Sequence, residues 1–207
     1  KTNKGFGTNG IVRDGTVWQT SDLPIIIING GVRIPQNATL TISPGSVIKM
    51  GYIGELDVIG NLIVKGIPNS KIYFTSLNDD STGGDTNGDA TLTLPAKQNW
   101  KAIFFENGSS GDFDNAVIQY GGYAAAGEYL PGTTSTIYNR GGDISLKNSF
   151  IGHNFNEGIF QDTGTTTIDH SEFTDQSIGF RYRGGYINFS NNSFYSDIGG
   201  GINNETT

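Results

Sequence analysis

Residues Asn148–Ile202 read NSFIGHNFNEGIFQDTGTTTIDHSEFTDQSIGFRYRGGYINFSNNSFYSDIGGGI, and this stretch decides the fold. Ile159, Phe180 and Ile202 recur within it at a period near 22, and Ile137 extends the series upstream. Gly158, Gly179 and Gly201 each stand directly before a member of that series. Phe150, Phe173 and Phe194 form a second register, and two positions before each comes a small polar residue: Asn148, Ser171, Asn192. Several registers sharing one period mark a repeat architecture. The same period returns near the N-terminus, where Ile34, Leu40 and Ile42 precede Leu56, Leu62 and Val64 by 22 positions.

Within each repeat the texture is strand-like. Thr39–Ser43 and Glu55–Ile59 alternate apolar and polar residues, and Gly, Asn and Asp punctuate them where turns need positive φ. A unit with three short strands and three turns is one coil of a parallel β-helix. One coil cannot bury its inner face alone, so the core comes from stacking. The expected fold is all-β: a right-handed parallel β-helix of about eight coils, near 40 Å long at about 4.8 Å per coil. In it the Phe series forms an internal aromatic ladder, and the Asn/Ser series a ladder of turn residues. Two polar or Gly-rich segments, about 78–98 and 121–135, break the period and read as loop insertions. Residues 1–207 read as a single domain, a piece of a longer protein.

Composition narrows the function. Glycine supplies 31 of 207 residues and charged residues only 16%, which argues against a long-helix protein. The net charge is −7 with no basic stripe, so nucleic acid and anionic membranes are not expected partners. The longest apolar run, Ile25–Ile28, is far short of a membrane span. Cysteine is absent, which excludes disulfide scaffolds, thiol nucleophiles and Cys-bound zinc.

Five segments carry a resemblance. They are GGVRIPQNATLTISPGSVIKM from Gly30, GELDVIGNLIVKG from Gly54, and KIYFTSLNDDSTGGDTNGDATLTLPAKQNWKAIFF from Lys71. ISLKNSFIGHNFNEGIF from Ile144 and FSNNSFYSDIGGGI from Phe189 complete the set. Together they resemble bacterial secreted and surface right-handed parallel β-helix proteins, the pectate-lyase-like superfold. The resemblance implies an extracellular or cell-surface location. It leaves function open, because this superfold hosts lyases, hydrolases, adhesins and inert spacers.

The sharpest local signal is Asp79-Asp80 followed by Asp85-Thr-Asn-Gly-Asp89. Carboxylates and an amide at alternating positions around a glycine turn can supply hard oxygen ligands to Ca²⁺. Asp79, Asp80, Asp85, Asn87 and Asp89 are the candidate ligands, and the ion would stiffen the loop. The sequence is no EF-hand: Ala90 stands where that motif has Gly, and Ala96 where it has Glu. The competing reading is a solvated acidic loop with Asx turns.

For glycan contact the candidates are Arg181, Arg183, Tyr186, Trp100, Tyr123 and Tyr129. With Phe180 facing inward, Arg181 and Arg183 point outward together, able to bind an acidic sugar beside Tyr186. The plainer reading pairs them with Asp162, Asp175 or Asp197. About four coils, on the order of 20 Å, separate these arginines from the acidic loop, too far for one lyase site. Trp100 either staples the loop to the wall or stacks on sugar. Asp169-His170-Ser171 is not a triad, since neighbouring strand residues face opposite ways; His170 is expected in register with Lys147 and Asn191. Asp143, Glu157, Asp162, Asp169 and Glu172 offer carboxylate pairs for hydrolysis with no means of choosing among them.

The reading that results is a non-catalytic extracellular β-helix domain of a bacterial surface or secreted protein, binding polysaccharide or host and cell-surface glycans. The alternatives are a lyase or hydrolase acting on acidic polysaccharides, and a structural subunit that associates end to end through its open edges.

Overall fold

The computed structural model describes residues 5–19, 23–124, 132–195 and 197–205. Among them are strands and no helix, joined in one 19-stranded sheet whose strand pairings are all parallel. The result is a solenoid-like topology, as in a parallel β-helix. The rungs form three ladders. Along the first, Val32 pairs with Leu56, Leu56 with Ile103, Ile103 with Ile137, Ile137 with Ile159, Ile159 with Phe180, and Phe180 with Ile202. The second ladder runs from Thr16–Trp18 through Thr39–Ile42, Asn61–Lys65 and Ser110–Asp114 to Tyr186–Ser190. The third runs through Val47–Met50, Ile72–Ser76, Ala116–Gln119, Phe150–Gly152 and Glu172–Thr174 to Ser193–Tyr195.

Alternation sends every second side chain into the solenoid. Leu56, Ile103, Phe105, Ile137, Ile159 and Phe180 are fully buried from the first ladder. Leu40, Val64, Phe113, Leu146 and Ile168 come from the second, and Ile48, Phe74, Ile118, Ile151 and Phe173 from the third. Each such side chain contributes about 1.5–3 kcal/mol of burial, which makes the stacked interior the main source of stability.

Register corrects parts of the periodic reading. Leu40–Leu62, Ile42–Val64 and the series Ile137–Ile159–Phe180–Ile202 are true rungs. Ile34, however, pairs with Val58, not Leu56. Phe150 pairs with Glu172 and points out, whereas the inner position belongs to Ile151, followed by Phe173 and Phe194. Those two rings stack at 4.9 Å. The polar ladder is likewise Ser149–Ser171–Asn192: Ser171 Oγ accepts from the Ser149 amide, and Asn192 Oδ1 from the Ser171 amide. The one-residue slip has a local cause. The turn from second to third ladder places one residue per coil in left-handed backbone, at Asn115, Asn148, His170 and Asn191. That series, not the phenylalanines, fixes the phase, and it puts His170 with Asn148 and Asn191, not with Lys147.

Candidate functional site

Between Ile72–Ser76 and Ile103–Phe105 no strand interrupts a run of turns. This segment lies across the outer side of the third ladder. Gly83, at φ 75°, sits so close to Pro24 and Val47 that a Cβ would come within 2.6 Å of the proline ring. Beneath it lies Lys49, fully buried. Its alternation in Val47–Met50 points it outward, and the loop covers it. Lys49 Nζ donates to the carbonyl oxygens of Asp79, at 2.8 Å, and Gly84. Burial pushes this amine below its ordinary pKa, and Asp79, Asp80 and Asp85 push it back up.

The five proposed ligands divide. Asp80, Asp85 and Asp89 each bring one carboxylate oxygen within 4.8 Å of the others. Asp85 Oδ1 accepts from the Gly88 and Asp89 amides, and Oδ2 from the Ala90 amide, so the loop curls around it. Asp89 Oδ2 accepts from Asn87 Nδ2 and Thr93 Oγ1. Asp80 is different: both its oxygens are shielded from water and have no hydrogen-bond partner among the described residues. Asp89 Oδ1 and Thr86 Oγ1 share that state. Burial first, then the neighbouring Asp85, raises the Asp80 pKa; Lys49 opposes this.

Asp79 stands apart from the trio. It is fully buried, with Oδ2 accepting from Thr75 Oγ1 at 2.6 Å and Oδ1 from Ser81 Oγ at 2.5 Å. It anchors the loop to the sheet. Asn87 supports Asp89 with its amide nitrogen. The loop therefore has one ammonium facing several carboxylates, plus shielded oxygens with nothing donating to them. Lys49 and Thr86 were not legible as members of this site. Lys49's outward position was visible in the alternation, but not what would cover it.

A second cluster occupies the outward side of the first ladder. Register aligns Asp57, Phe104, Tyr138, Phe160, Arg181 and Asn203 on successive rungs. Tyr138 and Phe160 meet edge to face at 5.3 Å, and Phe104 lies 6.1 Å from Tyr138. Guanidinium groups cover the rings. Arg140 lies 4.5 Å from the Phe104 centroid and 4.7 Å from that of Tyr138, and Arg183 lies 5.4 Å from that of Phe160. Phe104 and Phe160 are buried, leaving Tyr138 and the guanidiniums as the surface.

Arg181 and Arg183 lie together here, but they are engaged. Arg181 bridges buried Glu157, at 2.7 Å, and Glu205. Arg183 meets Glu205 at 3.2 Å and Asp162 at 3.7 Å. The Arg181 bond holds Glu205 below the usual carboxylate range. Asp162 was an expected partner; Asp175 instead takes Lys97 and His153. Three rungs, about 14 Å, separate Phe104 from Arg181.

The remaining candidates scatter. Tyr186 is exposed but heads a strand of the second ladder, beyond the Gly184–Gly185 turn. Trp100 is fully buried with Nε1 donating to the Gln119 carbonyl at 2.7 Å, so it staples the loop and offers no face to sugar. Tyr123 contacts the exposed Tyr52 ring at 4.2 Å. Tyr129 lies outside the described residues. His170 Nδ1 does meet Asp169 Oδ1, at 2.8 Å, because the turn swings it back; Ser171 Oγ donates to the Asp169 carbonyl and accepts from the Ser149 amide, and no triad forms. No family model, curated protein or solved structure matches the chain.

Proposed function

We propose that the chain is a non-catalytic, right-handed parallel β-helix domain of a bacterial surface or secreted protein, acting outside the cell in adhesion to glycans. The right hand follows the general rule for parallel crossovers. The observation that carries glycan contact is the row Phe104–Tyr138–Phe160 surfaced by Arg140, Arg181 and Arg183. Planar guanidiniums braced by carboxylates offer donors and acceptors side by side, which suits vicinal sugar hydroxyls, and Tyr138 offers a ring face. The carboxylates matched to these arginines favour neutral sugars at this face over acidic ones. A proton donor for hydrolysis needs a raised pKa, and Glu205 has a lowered one.

The test is a polysaccharide array with product analysis. Tyr138→Ala together with Arg140→Ala should weaken a hit about tenfold or more while leaving the melting temperature of the core unchanged. Binding untouched by that pair sinks this face as the site. Release of shortened or unsaturated product supports the lyase or hydrolase alternative.

A structural Ca²⁺ in the acidic loop rests on its own observation: the shielded, donor-free oxygens of Asp80 beside Asp85 and Asp89. An all-oxygen, carboxylate-rich set is the chemistry that takes Ca²⁺. The ion would stiffen the loop and take no part in a reaction.

A further inference from the structure

Each end of the solenoid presents open strand edges. At the C-terminal end the last rungs are Tyr186–Ser190, Ser193–Tyr195 and Ile202–Asn204, each paired on one side only among the described residues. At the N-terminal end Phe6–Ile11 and Thr16–Trp18 are likewise paired on one side. We infer that the C-terminal end docks on the N-terminal end of a second copy of this chain, head to tail, with all three ladders running on across the junction.

The last coil leaves apolar surface uncovered. Phe189 and Phe194 are only partly buried, whereas Ile168 and Phe173, one rung earlier in the same columns, are fully buried. Tyr186, Tyr195 and Ile202 are exposed. Open strand edges beside an unfilled interior are a template for further pairing.

Register selects the occupant. Each column of residues, followed back rung by rung, ends on the residue that a second copy would set against the last rung. The Ile202 column starts at Gly10. The Tyr195 column starts at Gly7. The Tyr186 column starts at Gly15, the residue before Thr16. At all three glycines a Cβ would meet nothing within 4 Å. Three exposed large side chains thus face three open spaces, one in each ladder. In the interior, the Phe189 column starts at Trp18, which is also only partly buried, so two incompletely covered aromatic side chains meet.

Charge favours unlike ends over like ones. Residues 184–207 hold Asp197 and Glu205 and no Lys or Arg, whereas residues 1–20 hold Lys1, Lys4 and Arg13 against Asp14. Two C-terminal ends repel, and opposite ends attract. The register that sets Ile202 on Gly10 also sets Glu205 opposite Arg13, which is exposed and has no ion pair among the described residues. Head-to-tail contact of this kind leaves a free edge at each end of the row, so it adds copies without closing at two. On the adhesion reading, such a row carries one Tyr138–Arg140 face per copy and makes glycan contact multivalent.

The test is analytical ultracentrifugation of the intact chain over a range of concentrations. The unaltered chain should grow past dimer as concentration rises. Gly7 is outside left-handed backbone and its Cβ position is open, so Gly7→Arg fills the N-terminal space without strain. Ile202→Lys places a charge in the C-terminal end. Each variant alone should stay monomeric, and an equimolar mixture should stop at dimer, because one intact end of each kind remains. Melting temperatures near that of the unaltered chain show that both variants are folded. Arg13→Glu, at an exposed position, should weaken association at low salt and less at high salt. An unaltered chain that stays monomeric at every concentration overturns the inference and leaves the edge to another partner. Association of Gly7→Arg alone overturns it as well, since that joins two C-terminal ends.

Discussion

The coils from Glu157 to Ser190 and the loop from Leu77 to Ala102 are held together by different forces. In the coils, Ile159, Ile168, Phe173 and Phe180 fill the interior, and each rung repeats the last. Among the loop's described residues the buried apolar side chains are Trp100 and Ala102, at its return to the wall. The loop is fixed by Asp79 on Thr75 and Ser81, by Lys49 on two carbonyls, and by amides turned onto Asp85. Apolar burial is indifferent to ions, whereas a loop built on carboxylates depends on what balances them. One chain thus joins a spine held by apolar burial to an outer segment held by charged and polar groups.

The largest effect belongs to the spine. Phe173→Ala should cost about 3–5 kcal/mol in urea unfolding, the same with Ca²⁺ and with EDTA. A cost that changes with Ca²⁺ would show that the two regions are not separable. Next comes Lys49→Met, which leaves the Asp79 and Gly84 carbonyls without their donor and the acidic trio without its ammonium. About 1–3 kcal/mol is expected, more in EDTA than in Ca²⁺, since the ion can take over the balancing charge. Equal losses in both would place the role of Lys49 in packing alone.

Protons sharpen the contrast further. The Asp80 pKa is raised in the fold, so the stabilisation gained by protonating it is full below 3.8 and disappears as pH rises through the raised value. Metal-free protein should therefore gain relative stability on acidification across that window, and Asp80→Asn should abolish the gain and raise stability at neutral pH. Asp169 runs the other way. Its folded pKa of about 2 gives stability above 3.8 that is lost as pH falls toward 2, so Asp169→Asn should cost stability at neutral pH but not below pH 2. Stability profiles against pH for the two variants check both signs. The smallest effect is Ala90→Gly. Ala90 holds φ of 62°, and relieving it should stabilise by about 0.5–1 kcal/mol, read as a shift of urea midpoint.

What was legible in the sequence follows the same division. Ile137, Ile159, Phe180 and Ile202 announced their ladder because burial repeats with the coil. Phe150 misled because it shares that period while facing out, and periodicity alone does not distinguish faces. The turn residues Asn115, Asn148, His170 and Asn191 carried the correct phase. In the loop, the aspartates were visible by spacing, but which of them gather depended on folding over the third ladder. Asp79 and Asp80 are neighbours in sequence and differ entirely in surroundings. Arg181 and Arg183 were recognised as an outward pair, but their commitment to Glu157 and Glu205 arises between coils about 24 positions apart.

The most direct test of the account is thermal unfolding of the intact chain with Ca²⁺ and with EDTA, beside the double variant Asp80→Asn, Asp89→Asn. Ca²⁺ a hundredfold above its dissociation constant should add about 2.7 kcal/mol to the unaltered protein and nothing to the variant. An unaltered protein that unfolds identically in Ca²⁺ and EDTA, or a variant that still responds, would contradict it.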